Sequence, residues 1–240
     1  MSVLVIGDSC VDVFIYGKCD RMCPDAPVPI FLPTTTRSNG GMASNVVANI
    51  LKLDAPCDSL SNVEEIEKTR YVDEKTNHMF LRVDSGEESV RRIEDLTASL
   101  LERYEIIVVS DYNKGFLSED DIAFICENHP KVFLDTKKIL GPWCKKAKFI
   151  KINEKEFNQT EHTVDNLDNM IITLGSGGCK HKGEIFPVDK VEVKDMSGAG
   201  DTFLAGLVVN YLETQDIRAA IRFANECATK VVQRRGVNVV

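Results

Sequence analysis

Five apolar runs of strand length, Val3–Ile6, Ile106–Val109, Val132–Leu134, Phe149–Ile152 and Ile171–Leu174, recur along this chain, with polar, helix-compatible stretches between several of them. A strand with one wet face alternates apolar and polar residues, whereas a strand buried on both faces of a parallel sheet reads as an unbroken Val/Ile/Leu run. Parallel neighbours require right-handed crossovers, which place helices on both faces of the sheet. The pattern therefore predicts an α/β fold on a mainly parallel, Rossmann-like sheet. Ser118–Asn128 and Gln215–Gln233 read as helices. In the second, Ile217, Ile221, Ala224 and Ala228 share one face, and Arg218 and Arg222 form a solvated stripe.

Two segments break the alternation. Val13–Thr36 carries Pro24, Pro27, Pro29 and Pro33, too many for a helix, and reads as edge strands or extended arms. Tyr71–Val83 alternates around the polar turn Asp73–Asn77 and reads as a hairpin. Together they predict a small β-sheet standing off the main body, a lid formed from about 13–36 and 71–84 within one domain spanning 1–240. Such a flap suits an enzyme that must keep water from a reactive phosphoryl group.

With 240 residues, 43% hydrophobic and 28% charged, the chain has the balance of one globular α/β domain. A net charge of −8 argues against a generic nucleic-acid or anionic-membrane binder and favours small-molecule partners. The N-terminus has no basic region before its apolar run and reads as no secretory leader, and no run reaches membrane-spanning length. Eight scattered cysteines without Cys-x-x-Cys spacing suggest reduced thiols and a cytoplasmic location. Cys179 and His181 read as surface or core filler rather than metal ligands.

The sharpest local signal is Asp195-Met-Ser-Gly-Ala-Gly-Asp201, which runs into an apolar helical stretch. Gly198 and Gly200 let the backbone turn tightly and present N–H groups to an anion. Leu204, Leu207, Val208 and Tyr211 then fall on one helical face, with the positive end of the helix aimed at that anion. Asp201 lies in the first turn. A carboxylate there does not attract phosphate, but it can accept the proton of a hydroxyl that attacks phosphorus; the bland reading is a turn followed by a residue that complements the helix dipole. A dinucleotide fingerprint would need glycine at Phe203, and no P-loop Gly-Lys-Ser/Thr occurs.

Three more elements accompany this loop: Gly7-Asp8 with Asp12, Asn39-Gly-Gly-Met-Ala-Ser-Asn45, and Asn153-Glu-Lys-Glu156. In this order they resemble the ribokinase/PfkB family of carbohydrate kinases. Asp20-Arg-Met-Cys-Pro-Asp-Ala-Pro-Val-Pro29, Ser110-Asp-Tyr-Asn-Lys-Gly115 and Leu134-Asp-Thr-Lys137 are similar to the branch whose kinase domain phosphorylates D-glycero-D-manno-heptose 7-phosphate at C1. The resemblance covers nearly the whole chain and implies a ribokinase-like three-layer α/β/α fold with a small β-lid, acting with ATP and Mg2+ on a sugar or sugar phosphate.

The resemblance also implies roles. Asp201 is the base, and Gly198, Ala199 and Gly200 stabilise charge on the transferring phosphoryl oxygens. Asp8, Asp12, Asn39, Gly40, Gly41 and Asn45 form the sugar pocket, although Asp8 also fits a turn cap. Asn153 and Glu156 organise magnesium through water, and the same pair has the spacing of a helix capping box. Thr173, Gly175 and Gly178 hold the nucleotide ribose and phosphates, and Asn225 lines the adenine pocket. Lys114 and Lys137 bind a substrate phosphate or the nucleotide. Arg82 with Asp84 is a surface ion pair or a substrate contact.

The chain departs from the family pattern in three places. Sixteen residues separate Leu53 from Arg70, where the family places a further strand–helix–strand stretch; the family continues beyond the position of Val240; and Met196 replaces a small or β-branched residue. The shortened edge predicts exposed strand surface and a homodimer. It also leaves open a kinase for another sugar or a nucleoside, or a catalytically silent nucleotide-binding scaffold.

Overall fold

The computed structural model describes residues 2–160 and 168–240. The first half of the chain forms β1 (Val3–Gly7), β2 (Ser9–Met22), β3 (Pro29–Met42), α1 (Ala43–Lys52), β4 (Cys57–Ser61), β5 (Glu67–Asp73), β6 (Met79–Ser85), α2 (Ala98–Leu101) and β7 (Ile106–Asp111). There follow α3 (Glu119–Asn128), β8 (Val132–Thr136), β9 (Phe149–Asn153), α4 (Glu154–Thr160), β10 (Met170–Thr173), β11 (Cys179–His181), β12 (Glu184–Phe186), α5 (Ala199–Thr214) and α6 (Ile217–Val231).

All five apolar runs are strands of one eight-stranded sheet, ordered β12-β11-β10-β9-β8-β7-β1-β4. The six strands from β10 to β4 are parallel, and β11 and β12 close the far edge antiparallel. Val3, Val5, Ile106 and Val108 pack into the core shared with α1, α5 and α6. Their alternates Leu4, Ile6, Ile107 and Val109 pack with Leu101, Ile122 and Ile125 on the opposite side. Both strand faces are dry, which is why the sequence shows runs rather than alternation.

Helix α5 departs from the one-faced reading. Every residue from Asp201 to Val209 is buried, because α1 and α6 flank the helix above the sheet. Gly206 permits that closeness: a Cβ there would stand 3.1 Å from the Cys227 sulfur and 3.2 Å from the Ala224 Cα. The His181 ring is also part of the packing, with Nδ1 2.7 Å from the Met170 carbonyl and the ring edge-on to Phe149. No described helix is long and apolar enough to cross a membrane.

A second sheet, ordered β3-β2-β5-β6, takes in the proline-bearing segment and the hairpin. Pro24 and Pro27 lie in the connection between β2 and β3. Pro33 sits on edge strand β3 where the register with Tyr16 and Gly17 shifts, so its missing N–H costs no regular ladder bond. Leu32, Met79, Phe80, Leu81 and Val83 are exposed on this sheet.

The expected gap between Leu53 and Arg70 is narrower than the sequence suggested. Strand β4 occupies part of it, pairing parallel to β1 as the edge of the large sheet. From Ser61 the chain then passes through residues 62–66 straight into β5, with no helix between. Asn62 secures that passage: its Oδ1 accepts from the Ser9 N–H at 2.7 Å, and its Nδ2 donates to the carbonyls of Ser9 at 3.2 Å and Glu64 at 2.6 Å.

Candidate active site

The loop entering α5 meets the carboxyl ends of the central strands, where open α/β sheets bind ligands. Gly198 caps α5 with φ 77°, and a Cβ on it would lie 2.6 Å from the Asn45 amide nitrogen, so this position requires glycine. Asp201 is 5% exposed. Its Oδ1 accepts from the Tyr112 hydroxyl at 2.5 Å and its Oδ2 from Asn45 Nδ2 at 3.0 Å. Burial pushes its carboxyl up to about 6, against the lowering effects of Tyr112, Asn45 and Lys151. A carboxylate with that value is ionised at neutral pH yet basic enough to take a proton.

Among the residues read as a sugar pocket, Asn45 bonds Asp201 directly. Asp8 is fully buried, and its oxygens accept from the backbone N–H groups of Tyr112, Lys114 and Phe116 at 2.7, 3.3 and 3.4 Å. These three bonds give Asp8 the capping role that its position also allowed, shaping the 112–116 loop. Asp12 pairs with Arg70 at 2.5 Å, and the guanidinium lies over the Phe14 ring. Gly41 is needed there, since a Cβ would come 2.1 Å from the Asp12 carboxylate; at Gly40 it would meet the Ser44 Cβ at 2.8 Å. Asn39 donates to the Val237 carbonyl at 3.0 Å, tying β3 to the last described residues. Lys114 is paired with Glu87 at 2.6 Å, and Arg82 holds Asp84 through two bonds of 2.8 and 2.7 Å on the exposed β6.

On the other side of Asp201, Asn153 and Glu156 form a reciprocal capping box at the start of α4. Asn153 Oδ1 accepts from the Glu156 N–H, and Glu156 Oε2 from the Asn153 N–H, both at 2.9 Å. The remaining Glu156 oxygen faces Lys137 Nζ at 2.5 Å, and that ammonium also lies over the Tyr112 ring, 5.4 Å from its centroid. Burial lowers the Lys137 pKa, but Asp135, Glu156 and Asp201 outweigh it and hold it above the usual lysine value. Each Glu156 oxygen already has a donor, so hydrated magnesium would reach this carboxylate only through a remaining lone pair and a water, and among the described residues no group of three or more His, Cys, Asp or Glu could hold a metal ion.

Beneath the loop lies a buried ion pair that the sequence reading missed. Lys151 and Asp135, 5% and 3% exposed, meet at 2.5 Å, and a Cβ at Gly200 would stand 3.1 Å from the Lys151 ammonium. The other Asp135 oxygen has no hydrogen-bond partner among the described residues. A lysine inside the run Phe149–Ile152 was the available signal, because a charge in a doubly buried strand needs a purpose. Arg70 and Tyr112 carried weaker signals, an alternating strand position and a motif neighbour.

Further along, a groove of about 550 Å3 is lined by Phe186–Asp189, Arg222, Asn225 and Lys230. Asn225 Nδ2 donates to the Phe186 carbonyl at 3.0 Å, and Gly178, at φ 85°, brings its Cα so close to the same carbonyl that a Cβ would stand 2.0 Å away. Arg218 and Arg222 are therefore more than a solvated stripe: each guanidinium lies 5.6 Å from the Phe186 ring centroid, and Arg218 also pairs with Glu184. Gly175, at φ 57°, is exposed, and the Thr173 hydroxyl donates to the Ile152 carbonyl at 3.4 Å.

Known proteins resemble this chain in sequence and in fold. A model of the pfkB family of carbohydrate kinases matches residues 136–239. The bifunctional protein HldE of Helicobacter pylori strain J99 is 28% identical over 292 residues, covering 98% of this chain and 63% of that protein. HldE of Rhodopseudomonas palustris strain HaA2 is 29% identical over 300 residues, covering 100% and 61%. The chain thus spans about three-fifths of the length of these curated relatives. Both alignments are longer than its own 240 residues, so the relatives carry intervening residues that this chain lacks. The fold is that of Arabidopsis thaliana ribokinase, solved with ribose and ATP: the TM-score is 0.72 at 15% identity, covering 98% of this chain and 93% of that one. The chain thus has the ribokinase-like fold, its residues 136–239 match the pfkB family of carbohydrate kinases, and it aligns end to end with part of HldE.

Proposed function

We propose that this protein transfers the γ-phosphate of ATP to a hydroxyl of a sugar or sugar phosphate, with D-glycero-β-D-manno-heptose 7-phosphate, phosphorylated at C1, as the substrate that its relatives favour. The observation that carries the proposal is the Asp201 carboxylate, buried in the first turn of α5 beside a glycine cradle and raised to about 6. In this reading Asp201 takes the proton of the acceptor hydroxyl as its oxygen bonds to the γ-phosphorus and the bond to the ADP oxygen breaks. The N–H groups of the loop and the Lys151 ammonium below Gly200 face the charge on the transferring oxygens. Asp12, oriented by Arg70, and Asn45 hold the acceptor, and the Phe186–Asn225 groove takes the nucleotide base. Magnesium, held near Glu156 and Asn153, supplies charge neutralisation to the phosphates when bound.

The second sheet acts as the lid in this proposal, and its exposed Leu32, Met79, Phe80 and Leu81 as a face for a second copy. The eight free cysteines suit a cytoplasmic setting. Product detection by mass spectrometry, with magnesium-ATP and a panel of sugars and sugar phosphates, tests the activity. A heptose bisphosphate formed by the native chain and not by Asp201→Asn is the expected result. Transfer to another panel member keeps the mechanism and changes the substrate; ATP binding without any product supports a silent scaffold. Glu156→Ala should raise the magnesium concentration needed for half-maximal turnover, and an unmoved titration leaves that side chain only its capping role.

A further inference from the structure

Tyr112 belongs to none of the roles above, yet four independent contacts fix it against the proposed base. Its backbone N–H is held by the fully buried Asp8 at 2.7 Å. Its ring packs on the small apolar cluster of Cys10, Met42 and Ile66, and Lys137 lies over the ring. Its hydroxyl then reaches Asp201 Oδ1 at 2.5 Å, a charge-assisted bond in a site with little water. Asp8, at the end of the first strand, therefore acts on the site at one remove, by setting the loop that delivers a phenol to the carboxylate.

We infer that Tyr112 is a positioning residue for phosphoryl transfer, donating its hydroxyl proton to Asp201 Oδ1 so that the carboxylate stays oriented and ionised until the acceptor hydroxyl arrives. The inference rests on the proposed role of Asp201 for its functional meaning, but the contact itself does not depend on turnover. A carboxylate oxygen has room for a second donor, so the acceptor hydroxyl approaches without expelling the phenol. Burial raises the Tyr112 phenol well above its usual range, with the Asp201 charge reinforcing the effect, so it remains a donor throughout the working pH range. The other groups that bear on Asp201 are Asn45 from α1, Cys10 from β2, Asp135 from β8, Lys137 just after β8, and Lys151 from β9. None of these replaces the phenol on Oδ1.

The test uses the intact chain carrying 13C-labelled Asp carboxyls, with the Asp201 resonance assigned by its loss in Asp201→Asn. In the native chain its midpoint is expected near 6, and in Tyr112→Phe about one pH unit higher, the effect of removing one hydrogen bond to an ionised group. An unchanged midpoint overturns the inference. A second measurement needs no Tyr112 variant: the 13Cζ signal of Tyr112 should titrate with the Asp201 midpoint in the native chain and lose that step in Asp201→Asn. Persistence of the step overturns the inference as well. With a competent acceptor, kcat of Tyr112→Phe should fall roughly tenfold at neutral pH, with its acid limb moved upward and KM for ATP unchanged. A uniform loss with an unmoved acid limb denies the role. If no acceptor is phosphorylated by the native chain, the kinase proposal fails while the two titrations still decide the Tyr112–Asp201 link.

Discussion

The two sheets of this protein solve opposite problems. The eight-stranded sheet is dry on both faces, and the side chains at its carboxyl ends are locked by packing from every direction. Asp8, Tyr112, Asp135, Lys151 and Asn153 all sit on or just after its strands. The four-stranded sheet leaves Met79, Phe80, Leu81 and Val83 exposed and contributes to the site chiefly through Asp12 and Arg70. The groups assigned to phosphoryl transfer thus stand on the large sheet or on α5 packed against it, whereas the acceptor is shared between Asn45 of α1 and Asp12 of the outer sheet. Such a division lets acceptor preference change without disturbing the transfer machinery.

The largest expected effect tests the rigid side. Asp201→Asn should lower turnover by about 10²–10⁴-fold while ATP binding by calorimetry is retained, because shape survives and the proton acceptor is lost. Retained turnover would remove Asp201 from the mechanism. Lys151→Met should destabilise the fold by about 3–5 kcal/mol in urea unfolding, since it strands the Asp135 charge, and adding Asp135→Leu should restore much of the loss. If Lys151→Met alone is neutral, the ion pair is no part of the scaffold.

A third prediction concerns pH. The folded-state pKa of Asp201 is raised from 3.8 to about 6, so its protonated form stabilises the fold below about pH 4 and that contribution disappears as pH rises through 6. Asp201→Asn should therefore be more stable than the native chain at pH 8, by at most about 3 kcal/mol, with the two curves converging below about pH 4. Parallel curves would mean that the carboxylate is ionised at no cost. The smallest effect belongs to the outer sheet: Leu81→Ser should change unfolding free energy by less than about 0.5 kcal/mol yet weaken self-association in light scattering. A monomeric native chain at micromolar concentration would dispose of the dimer altogether.

The sequence made the large sheet legible because doubly buried strands leave an unmistakable composition, and the stretch Ser118–Asn128 gave α3, which the structure shows capped by Ser118 with Asp121. Its glycines also announced the loop at α5, since Gly198 has steric work that no other residue can do. Asp8 left two readings open because a carboxylate after a first strand looks the same in sequence whether it faces a ligand or three backbone amides. Arg70 and Tyr112 were overlooked because their roles exist only after distant segments meet, 58 and 89 residues away from Asp12 and Asp201 respectively. No local pattern encodes such meetings. Gln215–Gln233 gave α6 correctly, but the Phe186 ring that Arg218 and Arg222 cover, and beside which Arg222 lines the groove, lies more than thirty residues earlier.

The Asn62 clip gives the molecule a mechanical character. The chain crosses between the sheets after β1, after β3, after β4 and after β6, and Asn62 binds two of those crossings, at Ser9 and Glu64, into a single strap. The outer sheet is tied a second time where Arg235 donates to the carbonyls of Glu74 and Lys75, Asn77 to that of Lys194 and Asn39 to that of Val237. It is thus a plate pinned at two places, clipped by Asn62 at its root and stapled by the later part of the chain, so that a displacement of this sheet must strain one set of fastenings or the other.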